Sequence, residues 1–412
     1  MSGRRGRLIP ALASEPFARA PGDLRARLRT LPGRLRRDAV DGLAAEWELH
    51  LGDDVFTVAV ARRSCTVREG PSPDPAVRVS TDPATWFALD DGRETGIEAF
   101  LDRRLVVRGD LDLAVRLQMM FAPHGRPRVP ADLEQLEVEA DGLRLSAYVA
   151  GDPNAPTLLL LHGLGGSKVS WLPVVPELAT RYHLVIPDLP GHGRSDKPRT
   201  SYPPRYHARA ARLVLDAMGA ERAAVAGNSL GGRVALELAL RSPGRVAALL
   251  LLDPAIPGFR VRPLLGFARV VPSELGRIPF PLRERWMQLY IRRLFGDPSV
   301  LPEEGYLAAA DDFIRIYRDP AARMAFFDTL RHLLTESPRR FWGLMRRVRV
   351  PTLVVWGTAD RLVPVRLAGR LAEALPMAET VLLDGVGHVP QFEAPDAVVR
   401  ETVRFLGGVH PW

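Results

Sequence analysis

The sequence predicts two α/β domains, the second built on a mostly parallel sheet covered by helices on both faces. Three observations predict them. From Thr157 onward, short uninterrupted apolar runs alternate with stretches of helical periodicity, the pattern of strands buried on both faces. Before residue 122 the strand-like segments alternate apolar and polar residues and include a tight turn at Gly52-Asp53-Asp54. Between the two, "FAPHGRPRVPADLEQ" (121 to 135) has no periodicity and carries four prolines or glycines in its first ten residues. The domains are therefore placed at 20–125 and 133–409, with a linker at 126–132.

Composition bounds the function classes. The chain has 412 residues, 46% hydrophobic and 25% charged, which is ordinary globular protein with ample core. Net charge is +8, yet Lys168 and Lys197 are the only lysines among 56 basic residues. The arginines are interspersed with acidic residues and no nucleic-acid motif accompanies them, so no nucleic-acid partner is expected. Peripheral contact with anionic lipid surfaces stays open. The single cysteine, Cys65, excludes an internal disulfide and a cysteine-rich metal site, and fits a reducing compartment. The opening "MSGRRGRLIPALASEPFARA" has arginines but only a short apolar stretch broken by Pro10. No run approaches ~18 apolar residues, so neither a signal peptide nor a membrane span is expected, and the cytoplasm is the expected location.

In the first domain, Asp23 to Leu31 has helical spacing in its leucines. Strands follow at Glu46 to Leu51 and Phe56 to Val60, then Cys65 to Arg68 and Val77 to Ser80. "STDPATWFALDDG" starts a helix, with Ser80 to Asp82 able to cap and Pro83 suited to the first position. "GIEAFLDRRLVVRGDLDLAVRLQMMF" gives a helix, a strand at Leu105 to Arg108 and a last amphipathic helix. On "DPAVRVSTDPATWFAL", the helix at Gly96 to Leu101 and "RLVVRGDLDLAVRLQMMF", residues 22 to 122 resemble the sterol carrier protein 2 (SCP2) family. That resemblance implies a small α/β sandwich enclosing an apolar tunnel for sterols, fatty acids or acyl-CoA. Leu113, Leu117, Met120 and Phe121 share a helical face, and Trp86, Phe87 and Leu89 form a second apolar group. Each residue reads first as core, although methionines and aromatics also suit a deformable lipid tunnel.

In the second domain, Leu136 to Ala140 and Leu143 to Val149 make a hairpin. Strands follow at Thr157 to Leu161, His183 to Pro187, Ala223 to Ala226, Ala247 to Leu252, Thr352 to Trp356 and Thr380 to Leu383. Sites in such sheets gather at the strands' carboxyl ends. There "AVAGNSLGGRV" (224 to 234) runs from strand into helix within a few residues. Ser229 sits on the turn, and glycines two before and two after it leave room for a strained backbone: a Gly-x-Ser-x-Gly nucleophile elbow.

A serine hydroxyl needs a base, and the base needs an orienting acid. Of nine histidines, His388 in "VLLDGVGHVPQFEAP" lies in a glycine-rich loop between the final strand and the last helix. "PTLVVWGTADRLVP" supplies Asp360, four residues past Trp356. Asp253 in "LLLLDPA" is an alternative acid, with a turn-capping role before Pro254 as its plainer reading. His162 reads as a loop-orienting residue, and His183, His192 and His207 as structural or exposed. An oxyanion needs two N–H donors. Motif position gives the amide of Leu230, after the nucleophile, and of Leu164 in "HGLGGS", after the strand Thr157 to Leu161. No metal or cofactor is implied.

"HGLGGSKVSWLPVVPELATRYHLVIPDLPGHGRSDKP", "GNSLGG", "WGTADRLVPV" and "GVGHVPQFEAP" together make residues 133 to 408 resemble the α/β-hydrolase superfamily. The order Ser229, Asp360, His388 is that superfamily's order. Serine at the elbow departs from the dehalogenases and epoxide hydrolases, which place Asp there. Asn228, where many esterases have His, is similar to both some bacterial lipases and the carbon–carbon bond hydrolases of aromatic-ring degradation. The 97 residues between Asp253 and Pro351 exceed one crossover, so a helical cap is expected over about 257–347. The expected function is hydrolysis of carboxylic esters of hydrophobic acids or alcohols through an acyl-enzyme, with the N-terminal domain holding or delivering a lipid-like ligand. Two rivals stand beside it: a carbon–carbon hydrolase of the meta-cleavage type, and a non-enzymatic lipid carrier or sensor.

Overall fold

The computed structural model describes residues 24–124, 133–258 and 283–409. The expected linker at 126–132, the arginine-rich opening and residues 259–282 of the expected cap lie outside the described residues.

Strands β1 (Ala45–Leu51), β2 (Asp54–Ala61), β3 (Ser64–Glu69), β4 (Val77–Thr81) and β5 (Leu105–Gly109) form one sheet in the order β3-β2-β1-β4-β5. Alternation in β1 buries Trp47, Leu49 and Leu51, and the hairpin to β2 turns at Gly52, whose φ of +66° suits glycine. The helices Pro83–Asp90, Gly96–Leu101 and Leu111–Met119 all begin with side-chain caps, from Asp82, Thr95 and Asp110 respectively. The helical spacing at 23 to 31 yields only Leu24–Leu28 followed by a 3₁₀ turn at Leu31–Arg34. Pro32, with no N–H to donate, cannot carry an α-helix through this point.

The second sheet runs β13-β12-β11-β10-β8-β9-β7-β6. Its members are β6 (Glu134–Ala140), β7 (Leu143–Ala150), β8 (Thr157–Leu161), β9 (His183–Pro187), β10 (Ala223–Asn228), β11 (Val246–Leu252), β12 (Thr352–Gly357) and β13 (Ala378–Leu383). The strands from β9 to β13 pair in parallel, and β7 joins antiparallel to both β9 and β6. Val225, Leu249, Leu251 and Val354 enter the core on one face; Ala224, Leu250, Leu353 and Val355 enter the core on the other. The continuous apolar runs are the consequence of this two-sided burial. Strand order reverses around β8, so the carboxyl ends of β8 and β10 flank a natural crevice. Among the described residues, four helices between β11 and β12 (Glu284–Arg292, Glu303–Tyr317, Pro320–Thr335 and Pro338–Met345) contribute to the cap.

The two sheets are docked through buried charge. Asp112, at the start of the last helix of the first domain, is 4% exposed. It meets Lys168 Nζ at 2.7 Å, accepts the Tyr148 hydroxyl at 2.6 Å and contacts Arg194. Lys168, 1% exposed, also meets Asp188 at 2.9 Å. Arg194 and Arg315 both reach Asp110, at 2.7 and 3.2 Å. Burial works against the Asp112 charge, but Lys168 and Arg194 overcome it and hold the carboxyl far below the usual carboxylate range. The cap joins in, with Asp311 accepting from Arg108 at 2.7 Å and Asp312 from the Leu111 N–H at 3.2 Å.

Candidate active site

Ser229 follows β10 and immediately precedes the helix Leu230–Arg241, with φ +52° and ψ −112°. This is a region that non-glycine residues rarely occupy, so the serine is held strained at the apex of the turn. The helix starts four residues earlier than the apolar run from Val234 suggests, because the two glycines after Leu230 are helical. Their small size is required: a Cβ on Gly231 would lie 2.0 Å from the Leu161 carbonyl oxygen, and one on Gly227 2.3 Å from Gly231. The turn packs directly on the ends of β8 and its own helix.

His388 lies in the loop after β13. Its Nδ1 is 2.7 Å from Asp360 Oδ2, while its Nε2 has no hydrogen-bond partner among the described residues, Ser229 Oγ included. Asp360, in the loop after β12, also accepts the N–H groups of Leu362 and Val363 at 2.7 and 2.9 Å through Oδ1. Burial opposes ionisation of Asp360, but His388 and these two N–H groups prevail and set it below the usual carboxylate range. Ser229, Asp360 and His388 are all buried, and Ser229 and His388 line the same cavity. Leu164 also lines it, in the loop after β8, and Leu230 is the first residue of its helix, where the N–H has no ladder partner.

Asp253 is not a local turn cap. It ends β11 fully buried with φ +44°, and its Oδ1 accepts the Gly357 N–H from the neighbouring strand at 3.0 Å. Burial, then the charge of Asp360, push its carboxyl well above the normal range. Asp253, Asp360 and His388 are the one grouping of three potential metal ligands among the described residues. Asp360 is already engaged by His388 and by the Leu362 and Val363 N–H groups, and Asp253 Oδ1 by the Gly357 N–H.

Other residues hold the constellation together. Asn228 Nδ2 donates to the Leu252 carbonyl at 3.2 Å and to the His388 carbonyl at 2.9 Å, tying the elbow to the histidine loop. Glu393 accepts from Gly387 at 2.7 Å and from the cap residues Gly296 and Asp297 at 3.1 and 2.8 Å. The His388 N–H donates to Leu294 of the cap at 2.6 Å. His162 accepts the Leu189 N–H at 2.9 Å and so orients its own loop. His192 and His207 are buried; desolvation first, then neighbouring imidazoles, hold both neutral, His192 down to about 3.

The cavity has a volume of about 540 Å³. Gln391 lines it with Ser229 and His388, is 1% exposed, and has neither Oε1 nor Nε2 hydrogen-bonded among the described residues. Gln391 and Glu393 carry no signal in the sequence beyond their place just after "GHVP". Phe313 and Phe326 of the cap close over the loop after β8, 3.1 and 3.4 Å from where a Cβ on Gly165 would stand. Trp86, Leu117 and Phe121 belong to the first domain's core together with Leu113 and Met120, and with Leu89 they also line the same cavity.

Residues 156–395 match the family model of the alpha/beta hydrolase fold, and residues 26–122 that of the SCP-2 sterol transfer family. Lipase 1 of Psychrobacter immobilis is 31% identical over 291 residues, covering 69% of this chain and 87% of the lipase. A membrane phospholipase A described as a bacterial virulence factor is a structural neighbour with TM-score 0.58 and 29% identity, over 68% of this chain and 87% of that one. The 2-hydroxy-6-oxo-6-phenylhexa-2,4-dienoate hydrolase of Rhodococcus sp. strain RHA1 superposes with TM-score 0.56 and 26% identity, over 67% of this chain and all (100%) of that one. The chain is a hydrolytic enzyme of the alpha/beta hydrolase fold family, with an SCP-2 sterol transfer domain ahead of its catalytic domain.

Proposed function

We propose that the protein is a serine hydrolase acting on carboxylic esters of hydrophobic, lipid- or sterol-like substrates. Ser229 Oγ attacks the ester carbonyl while His388 Nε2 takes its proton, and the Leu164 and Leu230 amides receive the oxyanion. Asp360 fixes the His388 tautomer through Nδ1 and balances the imidazolium that forms. His388 then protonates the leaving alcohol, water deacylates the acyl-serine, and the proton returns by the same route. The Ser229–His388 hydrogen bond, absent in the free protein, forms when substrate fills the cavity.

The observation that carries this reading is the His388–Asp360 bond of 2.7 Å beside a strained Ser229, inside an apolar cavity. The likeness to Lipase 1 and to the phospholipase structure supports the ester class. The likeness to the dienoate hydrolase makes carbon–carbon cleavage the second reading. Against it, Arg36 is the only arginine or lysine among the described residues lining the cavity, and it belongs to the first domain. Among the described residues, the second domain offers a carboxylated dienol substrate no arginine or lysine in this wall.

Hydrolysis of p-nitrophenyl esters from acetyl to palmitoyl tests the proposal. The expected result is activity that rises with chain length and falls at least ~10³-fold in Ser229→Ala. A wild-type protein as inert as the mutant rules the ester reading out; turnover of a ring-fission product would then establish the second reading, and inertness there too would favour a carrier.

A further inference from the structure

The cavity does not stop at the domain boundary. Ser229, His388 and Gln391 line it from the second domain, Trp86, Leu117 and Phe121 from the first, and Phe100 and Val169 add to the wall from the two domains. His388 Nε2, the Gln391 amide and the Trp86 indole N–H are buried polar groups in the described wall without a hydrogen-bond partner. The first-domain wall is mostly aliphatic and aromatic, with Arg36, Asp90, Glu94, Thr95 and Gln118 as its polar members. The volume of about 540 Å³ falls within the roughly 300–1,000 Å³ of a site for one ligand. The domains cannot part cheaply either. Separation would strip Asp112 from Lys168, a pair in which neither side chain reaches solvent.

We propose that the two domains share one binding site, in which a long-chain lipid ester places its carbonyl at Ser229 and its hydrocarbon tail inside the N-terminal domain. That domain is then a fixed wall of the catalytic pocket and not a carrier with a ligand of its own. The placement of the reacting end rests on the serine-hydrolase reading above; the shared cavity does not.

The test is competition within the full-length protein. Ser229 is blocked with a p-nitrophenyl alkylphosphonate carrying either a methyl or a hexadecyl chain, and each adduct is titrated with the fluorescent fatty acid cis-parinaric acid. The unmodified protein should bind one equivalent, the methyl adduct should bind as well, and the hexadecyl adduct should bind at least ten-fold more weakly. Equal binding by the two adducts, two equivalents in the unmodified protein, or none, would overturn the proposal. If neither phosphonate labels Ser229, the serine-hydrolase reading falls, and the cavity is read from two partly exposed wall residues. Ala114→Trp in the first domain and Val169→Trp in the second should each abolish parinaric acid binding; loss in Ala114→Trp alone means separate sites. Leu replaces Trp in either variant that fails to fold by circular dichroism.

Discussion

Replacing Asp112 with alanine removes the centre of the docking cluster. Three partners lose it at once: the Lys168 ammonium at 2.7 Å, the Tyr148 hydroxyl at 2.6 Å and the Arg194 guanidinium. Lys168 keeps Asp188, and Arg194 keeps Asp110, so neither cation is left bare. The Tyr148 hydroxyl, buried in the second domain, has no other partner to turn to. Breaking a buried ion pair from one side costs about 3–5 kcal/mol, and an unpaired buried hydroxyl about 1–3. The residual pairing of both cations keeps the sum near the lower end, about 3–5 kcal/mol in all. Urea unfolding followed by tryptophan fluorescence reads it, since Trp47 reports the first domain and Trp171 and Trp356 the second. Wild type should unfold in a single transition, whereas Asp112→Ala should unfold at markedly lower urea, with the two domains no longer melting together. Asp112→Asn, which keeps shape and loses charge, should fall between. A loss below ~1 kcal/mol in Asp112→Ala would refute the view that this cluster fastens the domains.

Three further outcomes follow from the same geometry. Asp253→Asn should keep kcat within about threefold, because an amide oxygen still accepts the Gly357 N–H; Asp253→Ala should cost about 1–3 kcal/mol and at least ~10-fold in kcat, and equal losses in the two variants would show that the bond to Gly357 is not what Asp253 supplies. Gly231→Ala drives a methyl to 2.0 Å from the Leu161 carbonyl, backbone that cannot swing aside, so a loss of ~3 kcal/mol or failure to fold is expected, and a wild-type melting temperature would contradict the elbow packing. His192, held down to about 3 by burial first and by His162 next, refuses the proton that the unfolded chain accepts below about 6.5. Stability should therefore fall as pH drops through that window, by roughly 2 kcal/mol between pH 6.5 and 5 from His192 alone, and a flat urea midpoint over this range would contradict it.

What could be read from the sequence was what local chemistry fixes. The elbow is written in five consecutive residues, and its strained serine follows from strand, turn and helix meeting there. The loops of Asp360 and His388 were legible because each directly follows an apolar strand. Contacts between distant segments left no such mark. Asp253 looked like a turn residue because Pro254 follows it, yet its partner is 104 residues further along the chain, at Gly357. Lys168 was visible only as one of two lysines, and nothing near it pointed to Asp112 in another domain. The cavity between the domains is of the same kind: Trp86 and Leu117 read first as core, and core they are, while the second domain packed beside them makes them cavity wall as well.

Trapping the intermediate tests the central claim most directly. The protein is mixed with p-nitrophenyl palmitate, quenched in acid during turnover, digested and weighed by mass spectrometry. A palmitoyl mass on the peptide carrying Ser229, absent in Ser229→Ala, is the expected result. Steady turnover with Ser229 unmodified would contradict nucleophilic catalysis at this residue.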